Sequence, residues 1–186
     1  MEEDRKAFDN SMKEEQGTFK LAMMPGLIVG IVSVGMSLVL WATVSDIKIQ
    51  QYLGYLTWFV LAILYYKYTI NFREEHRNGH LSYGQSLGFQ VSMSVVLSLV
   101  NSIYSYLLFA VLDPNLIEKA KEIAAENLYA QNMPEDQIEV AMKYQEMFMT
   151  PAAMTFFAIF GTFLFGFIIS LIVSFFTKKE ANLFDN

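Results

Sequence analysis

The chain has 186 residues, 54% of them hydrophobic and 15% aromatic, and a formal net charge of −6. Its apolar residues gather in long blocks instead of alternating stripes, which argues against a single soluble domain. Cysteine is absent, excluding disulfide frameworks, thiolate zinc sites and cysteine nucleophiles, and the acidic balance disfavours nucleic acid as a partner.

Charge-free blocks run from Leu21 to Ser45, Ile49 to Tyr66, Leu81 to Leu112 and Phe148 to Thr177. Stretches of roughly 18 or more such residues can cross a bilayer, so the expected fold is all-α and polytopic, with four transmembrane helices. The first 20 residues mix six acidic with four basic side chains, unlike a signal peptide, and form an N-terminal segment ahead of the first span at 21–45. In that span Gly26, Gly30, Ser33 and Ser37 share a face, which predicts close helix packing, either within the chain or in a dimer.

The second span, 49–66, is the shortest, about 27 Å long against a hydrocarbon core of about 30 Å. Tyr52, Tyr55 and Trp58 towards one end and Tyr65, Tyr66 and Tyr68 towards the other suit rings held at two interfaces. In the loop at 67–81, His76 and His80 flank Asn78-Gly79, a helix-breaking pair that makes a solvated basic loop the better reading than a metal site.

Ser82-Tyr83-Gly84-Gln85 is a capping-box pattern that opens the third span, 83–112. Two rows run along it. Gly84 and Gly88 form a small-residue row expected to pack against a helix, and Gln90, Ser94, Ser98, Asn101 and Ser105 form a polar row that lipid would leave unpaired. The polar row predicts interhelical hydrogen bonds, or alternatively a water-lined path or ligand pocket.

Asp113-Pro114 should end this helix and open an amphipathic helical hairpin over 113–149, restarted at Pro134. Ile117, Ala120, Ala124 and Leu128 share a face of its first helix, and Ile138, Ala141, Met142, Gln145 and Met149 a face of its second. Thr150-Pro151 then opens the fourth span, 151–177, where Gly166 and Ser170 belong to a second packing row and the phenylalanines are expected to face lipid or fill gaps. A tail follows at 178–186.

Lys and Arg number nine in the N-terminal segment, the 67–81 loop and the tail, against four on the other side. The positive-inside rule therefore puts both termini in the cytoplasm and the hairpin outside. The hairpin region carries eight acidic and three basic residues, and Glu122, Glu126, Glu135 and Glu139 are its candidate interaction surface.

The segments NGHLSYGQSLGFQV and SYLLFAVLDPNLIEKAKE resemble the bacterial inner-membrane proteins grouped as domain of unknown function 4199. The resemblance covers the whole four-span layout. It implies a Gram-negative inner (cytoplasmic) membrane and assigns no activity, catalytic residue or cofactor.

No P-loop, dinucleotide fingerprint or HExxH motif occurs, and no charged residue lies inside a span. The expectation is a non-enzymatic membrane protein without catalytic, cofactor-binding or metal residues. Its partners would be the lipid bilayer and, through the acidic hairpin, an envelope protein or a second copy. The alternative is a small transporter or channel subunit using the polar row of the third span.

Overall fold

A computed structural model describes residues 2–131 and 133–180, without the side chains of residues 2–16, 47, 48 and 51. Asn132 at the expected hairpin break and the tail beyond Glu180 lie outside the described residues. Among the described residues six α-helices follow one another: α1 Glu2–Thr43, α2 Ile47–His76, α3 Tyr83–Leu107, α4 Asn115–Ala130, α5 Glu135–Phe148 and α6 Pro151–Thr177. Among the described residues the one bridge of β type pairs Leu81 with Lys179.

Among the described residues three helices are long and apolar enough to cross a bilayer: Gly17–Thr43 within α1, Tyr83–Leu112 and Pro151–Thr177. These make the chain a membrane protein by length and composition. The α2 helix is 30 residues long and is not among them.

Local chemistry explains where the helices begin and end. The capping box forms in full: the Gln85 amide donates to Ser82 Oγ at 3.3 Å, and the Ser82 amide donates to Gln85 Oε1 at 3.1 Å. Before it, α2 stops where Asn78 and Gly79 take φ of 51° and 78°, and the Gly79 amide turns back to the Arg73 carbonyl. Thr150 caps α6, accepting the Ala153 amide at 3.2 Å.

The exit of α3 is more specific than its sequence suggested. Leu108–Leu112 widen into a π-helical turn in which the Asp113 amide donates to the Leu108 carbonyl. Pro114 and Pro134, expected at the first helical positions, stand instead at the N-cap positions of α4 and α5, where neither offers a capping side chain.

The chain forms two compact units, one from the residues up to Val100 together with those from Thr162, the other Asn101–Gly161. The core of the first draws Val29 from α1, Leu61, Tyr65 and Phe72 from α2, Phe89, Met93 and Leu97 from α3, and Val173 from α6. At one end of this unit Phe72 stacks on Phe89 at 4.2 Å, and Arg77 lies over the Phe72 ring. Arg73 there donates to the Thr177 carbonyl at 3.0 Å, satisfying a helix-end acceptor that would otherwise be orphaned.

In the second unit α4 packs on α5 as the expected hairpin. Ile117 and Ile138 are buried, Ala124, Leu128 and Met142 half-buried. Covering these side chains stabilises two helices that would be marginal alone.

Candidate functional site

Residues Ser86, Gln90, Ser94 and Ser98 recur every four positions and so project from one side of α3. All four are at most 3% exposed; Ser86 and Ser94 meet partners on α2 and α6, while Gln90 bonds to Ser86 and Ser98 donates to the Val95 carbonyl of its own helix. Ser86 Oγ lies 2.7 Å from Thr177 Oγ1, and Gln90 Nε2 donates to Ser86 Oγ. Eight residues along, Ser94 Oγ lies 2.8 Å from the Tyr65 hydroxyl and 3.5 Å from Ser170 Oγ. Because Ser86 meets Thr177 and Ser94 meets Ser170, α3 and α6 run antiparallel, with hydroxyls as the rungs between them.

This arrangement satisfies polar groups that lipid could not, and it fixes the register of the two helices. Each interhelical bond is worth about 0.6 kcal/mol on average, so selecting a partner is their main effect. Serine and threonine also return bonds to their own helix: Ser94 Oγ to the Gln90 carbonyl, Ser170 Oγ to that of Gly166, and Thr177 Oγ1 to that of Val173. Gln90 Oε1 and Ser174 Oγ, both buried, have no hydrogen-bond partner among the described residues. Asn101 and Ser105, which continue the row, belong to the second unit, where Asn101 is half-buried and Ser105 buried.

The unpartnered Ser174 hydroxyl gives a comparison within one row. Removing a buried, unpaired hydroxyl relieves a cost of about 1–3 kcal/mol, whereas removing a bonded one strands its partner. Ser174→Ala should therefore hold or raise the unfolding midpoint in detergent, and Ser94→Ala, which strands the Tyr65 hydroxyl, should lower it. Equal losses in both variants would show that Ser174 has a partner after all.

The small residues divide sharply. A Cβ on Gly26 would stand 2.8 Å from Val96 Cβ and 2.9 Å from the Met93 carbonyl oxygen, and one on Gly30 would stand 2.8 Å from Val100 Cβ. This face of α1 is occupied by α3 of the same chain, so the dimer expected as its alternative use has no room there. On α6 a Cβ at Gly166 would meet Ser94 Oγ at 2.7 Å and the Tyr65 hydroxyl at 3.2 Å. Gly84 and Gly88 correct the expectation: both are exposed, and a Cβ on either would meet nothing within 4 Å. Their row lies on the side of α3 away from Ser86 and Gln90, because positions two apart differ by about 200° on a helix.

Two aromatic expectations change as well. Tyr65, expected at an interface, is fully buried and serves the ladder, and Trp58 stacks on Phe165 with centroids 5.2 Å apart. Ser86 and Thr177 were not among the residues singled out from the sequence, although each extends a row by one turn, Ser86 that of α3 backwards and Thr177 that of α6 forwards. Tyr65 carries no periodic mark.

On the hairpin Glu122, Glu126, Glu135 and Glu139 are all exposed. Glu118 forms an ion pair with Lys121 at 3.0 Å, worth little at a solvated surface. His76 stacks on Phe72 with centroids 5.8 Å apart, and no three His, Asp or Glu side chains converge as metal ligands among the described residues.

No curated protein and no solved structure matches the chain. A family model described as protein of unknown function (DUF4199) matches residues 24–179, which takes in α2, the entry to α3, the Asp113-Pro114 exit, the hairpin and α6. With that match across most of its length, the chain belongs to the DUF4199 family.

Proposed function

We propose that the protein is a non-enzymatic, four-span component of a bacterial inner membrane, with both termini cytoplasmic, acting by contact between its acidic extracytoplasmic hairpin and an envelope protein or a second copy. The observation that carries this reading is a division of polar groups. The uncharged ones in α3 are spent on packing, with Gln90, Ser94 and Ser98 buried, while the carboxylates of α4 and α5 stand in solvent. A small transporter would need the α3 row to face a path, and Ser86 and Ser94 instead bond to neighbouring helices.

The fourth span is α2. Its inner face supplies Leu61, Tyr65 and Phe72 to the core shared with α1, α3 and α6, while Leu56, Phe59 and Ile63 are exposed on its outer side. Exposed leucine, phenylalanine and isoleucine on a helix packed among bilayer-length helices call for lipid around them.

The hairpin contact is tested by changing charge without shape. Replacing Glu122, Glu126, Glu135 and Glu139 together by glutamine should leave helix content unchanged and weaken native association, most of all at low salt, since such charges govern encounter and are screened as salt rises. Co-purification from native membranes at two salt concentrations reads the effect. Unchanged yield of every partner and oligomer would defeat the proposal and leave the hairpin as a solvated lid.

A further inference from the structure

The α5 helix has three faces, of which the hairpin uses one. Ile138, Ala141, Met142 and Gln145 turn towards the buried side, and Glu135, Glu139 and Glu146 form an exposed acidic strip beside it. The remaining side carries Val140, Tyr144, Met147 and Phe148, spaced four, three and one, and 55–70% exposed. No acidic residue interrupts this stripe between Val140 and Phe148, although the exposed Asp136, one turn before Val140, stands at its N-terminal end. At about 100° per residue its centre lies well over a quarter-turn from the acidic strip, and Lys143 sits between the two.

Two observations say what covers the stripe. Only Met149 and Thr150 separate Phe148 from Pro151, the first residue of a helix long and apolar enough to cross the bilayer. The three Cα steps from Phe148 to Pro151 reach no more than about 11 Å, so the C-terminal end of α5 is tethered where α6 enters the membrane. The stripe is also continuous with the outward aromatic surface of α6: the Phe148 and Phe157 rings lie 6.1 Å apart, and Phe156 and Phe160, 4.8 Å apart, extend the band along the helix. Phe156, Phe157 and Phe160 are at least half exposed, on a helix long and apolar enough to cross the bilayer.

From these we infer that α5 lies along the outer membrane–water boundary of its own bilayer, with Val140, Tyr144, Met147 and Phe148 among the upper acyl chains. Tyrosine suits this depth because its ring is apolar and its hydroxyl reaches water, and Lys143 can lay its stem over the stripe while its ammonium stays at the headgroups. Seated in this way, α5 turns its acidic strip to the aqueous side. The inference needs α6 to span the membrane and does not need a protein partner for the hairpin.

The absence of cysteine makes site-directed nitroxide labelling clean. Single cysteines at Val140, Tyr144, Met147, Glu135, Glu139 and Glu146 in the full chain, reconstituted in phosphatidylethanolamine–phosphatidylglycerol vesicles, are compared for collision with oxygen and with a water-soluble nickel chelate. The stripe positions should show several-fold higher oxygen-to-nickel ratios than the acidic positions, rising and falling with the helical period. Nickel reaching both sides of α5 equally would overturn the inference, because the stripe would then stand in water. Protection of the stripe from both reagents would also overturn it, since protein and not lipid would then be the cover. A label at Phe160 reports whether α6 is in the bilayer, so failure of that premise is read separately from failure at α5.

Discussion

Gly26→Ala and Gly166→Ala should each lower the unfolding midpoint of the full-length protein in detergent, while Gly84→Ala and Gly88→Ala hold or raise it. The four changes are chemically identical, so their sign depends on what each new methyl group meets. At Gly26 it meets the Met93 carbonyl oxygen and Val96 Cβ, at 2.9 and 2.8 Å. Backbone cannot rotate out of the way, so α1 and α3 must part. At Gly166 it meets the Ser94 hydroxyl at 2.7 Å, the group that also bonds Tyr65, and the ladder is pushed open as well as crowded. Overpacking of this kind costs about 1–3 kcal/mol. At Gly84 and Gly88 the methyl enters open space, and alanine is favoured over glycine in a helix by roughly 0.5–1 kcal/mol. Leu97→Ala, at a fully buried side chain, belongs with the damaging pair and should cost about 2–5 kcal/mol. Midpoints shifting together in all four glycine variants would show that these faces are misassigned.

That opposition also marks the limit of what the residue pattern conveyed. Local signals were legible because their chemistry is local: Ser82 and Gln85 cap each other, Asn78-Gly79 admits positive φ, and Thr150 offers an oxygen to α6. Periodicity showed that α3 has a glycine row and a polar row about 200° apart, but it cannot say which of them meets protein. Physical chemistry favours the polar row. Bare glycine leaves nothing unsatisfied when it faces lipid, whereas Gln90 and Ser94 there would lack partners. A stricter use of that asymmetry would have assigned the inward face. Tyr65 shows what no pattern could supply, because its position near the end of an apolar block fits an interfacial ring, and only the proximity of Ser94, 29 positions away, makes it an internal hydrogen-bonding group.

Single cysteines at Asn78 and Asn127 should divide cleanly in intact spheroplasts: an impermeant maleimide should label position 127 at once and position 78 only after the membrane is opened. Four spans place an even number of crossings between the termini, and the result turns on α2. If α2 failed to cross while the N-terminus stayed cytoplasmic, position 78 would be outside and position 127 inside. Two physical terms oppose that arrangement. Lys67, Arg73 and Arg77 would have to reside outside, against the positive-inside bias and a membrane potential worth about 2.3 kcal/mol per charge per 100 mV. The outward Leu56, Phe59 and Ile63 of α2 would also be left in water. A third cysteine at Gly17, exposed and just ahead of the apolar part of α1, covers the remaining case, an external N-terminus with three crossings, which would give the same labels at 78 and 127. With four spans, position 17 is protected together with position 78. Labelling of position 17 or of position 78, but not of both, in intact spheroplasts would remove α2 from the membrane and with it the four-span reading, whereas labelling of both with 127 protected would keep four spans and invert the orientation.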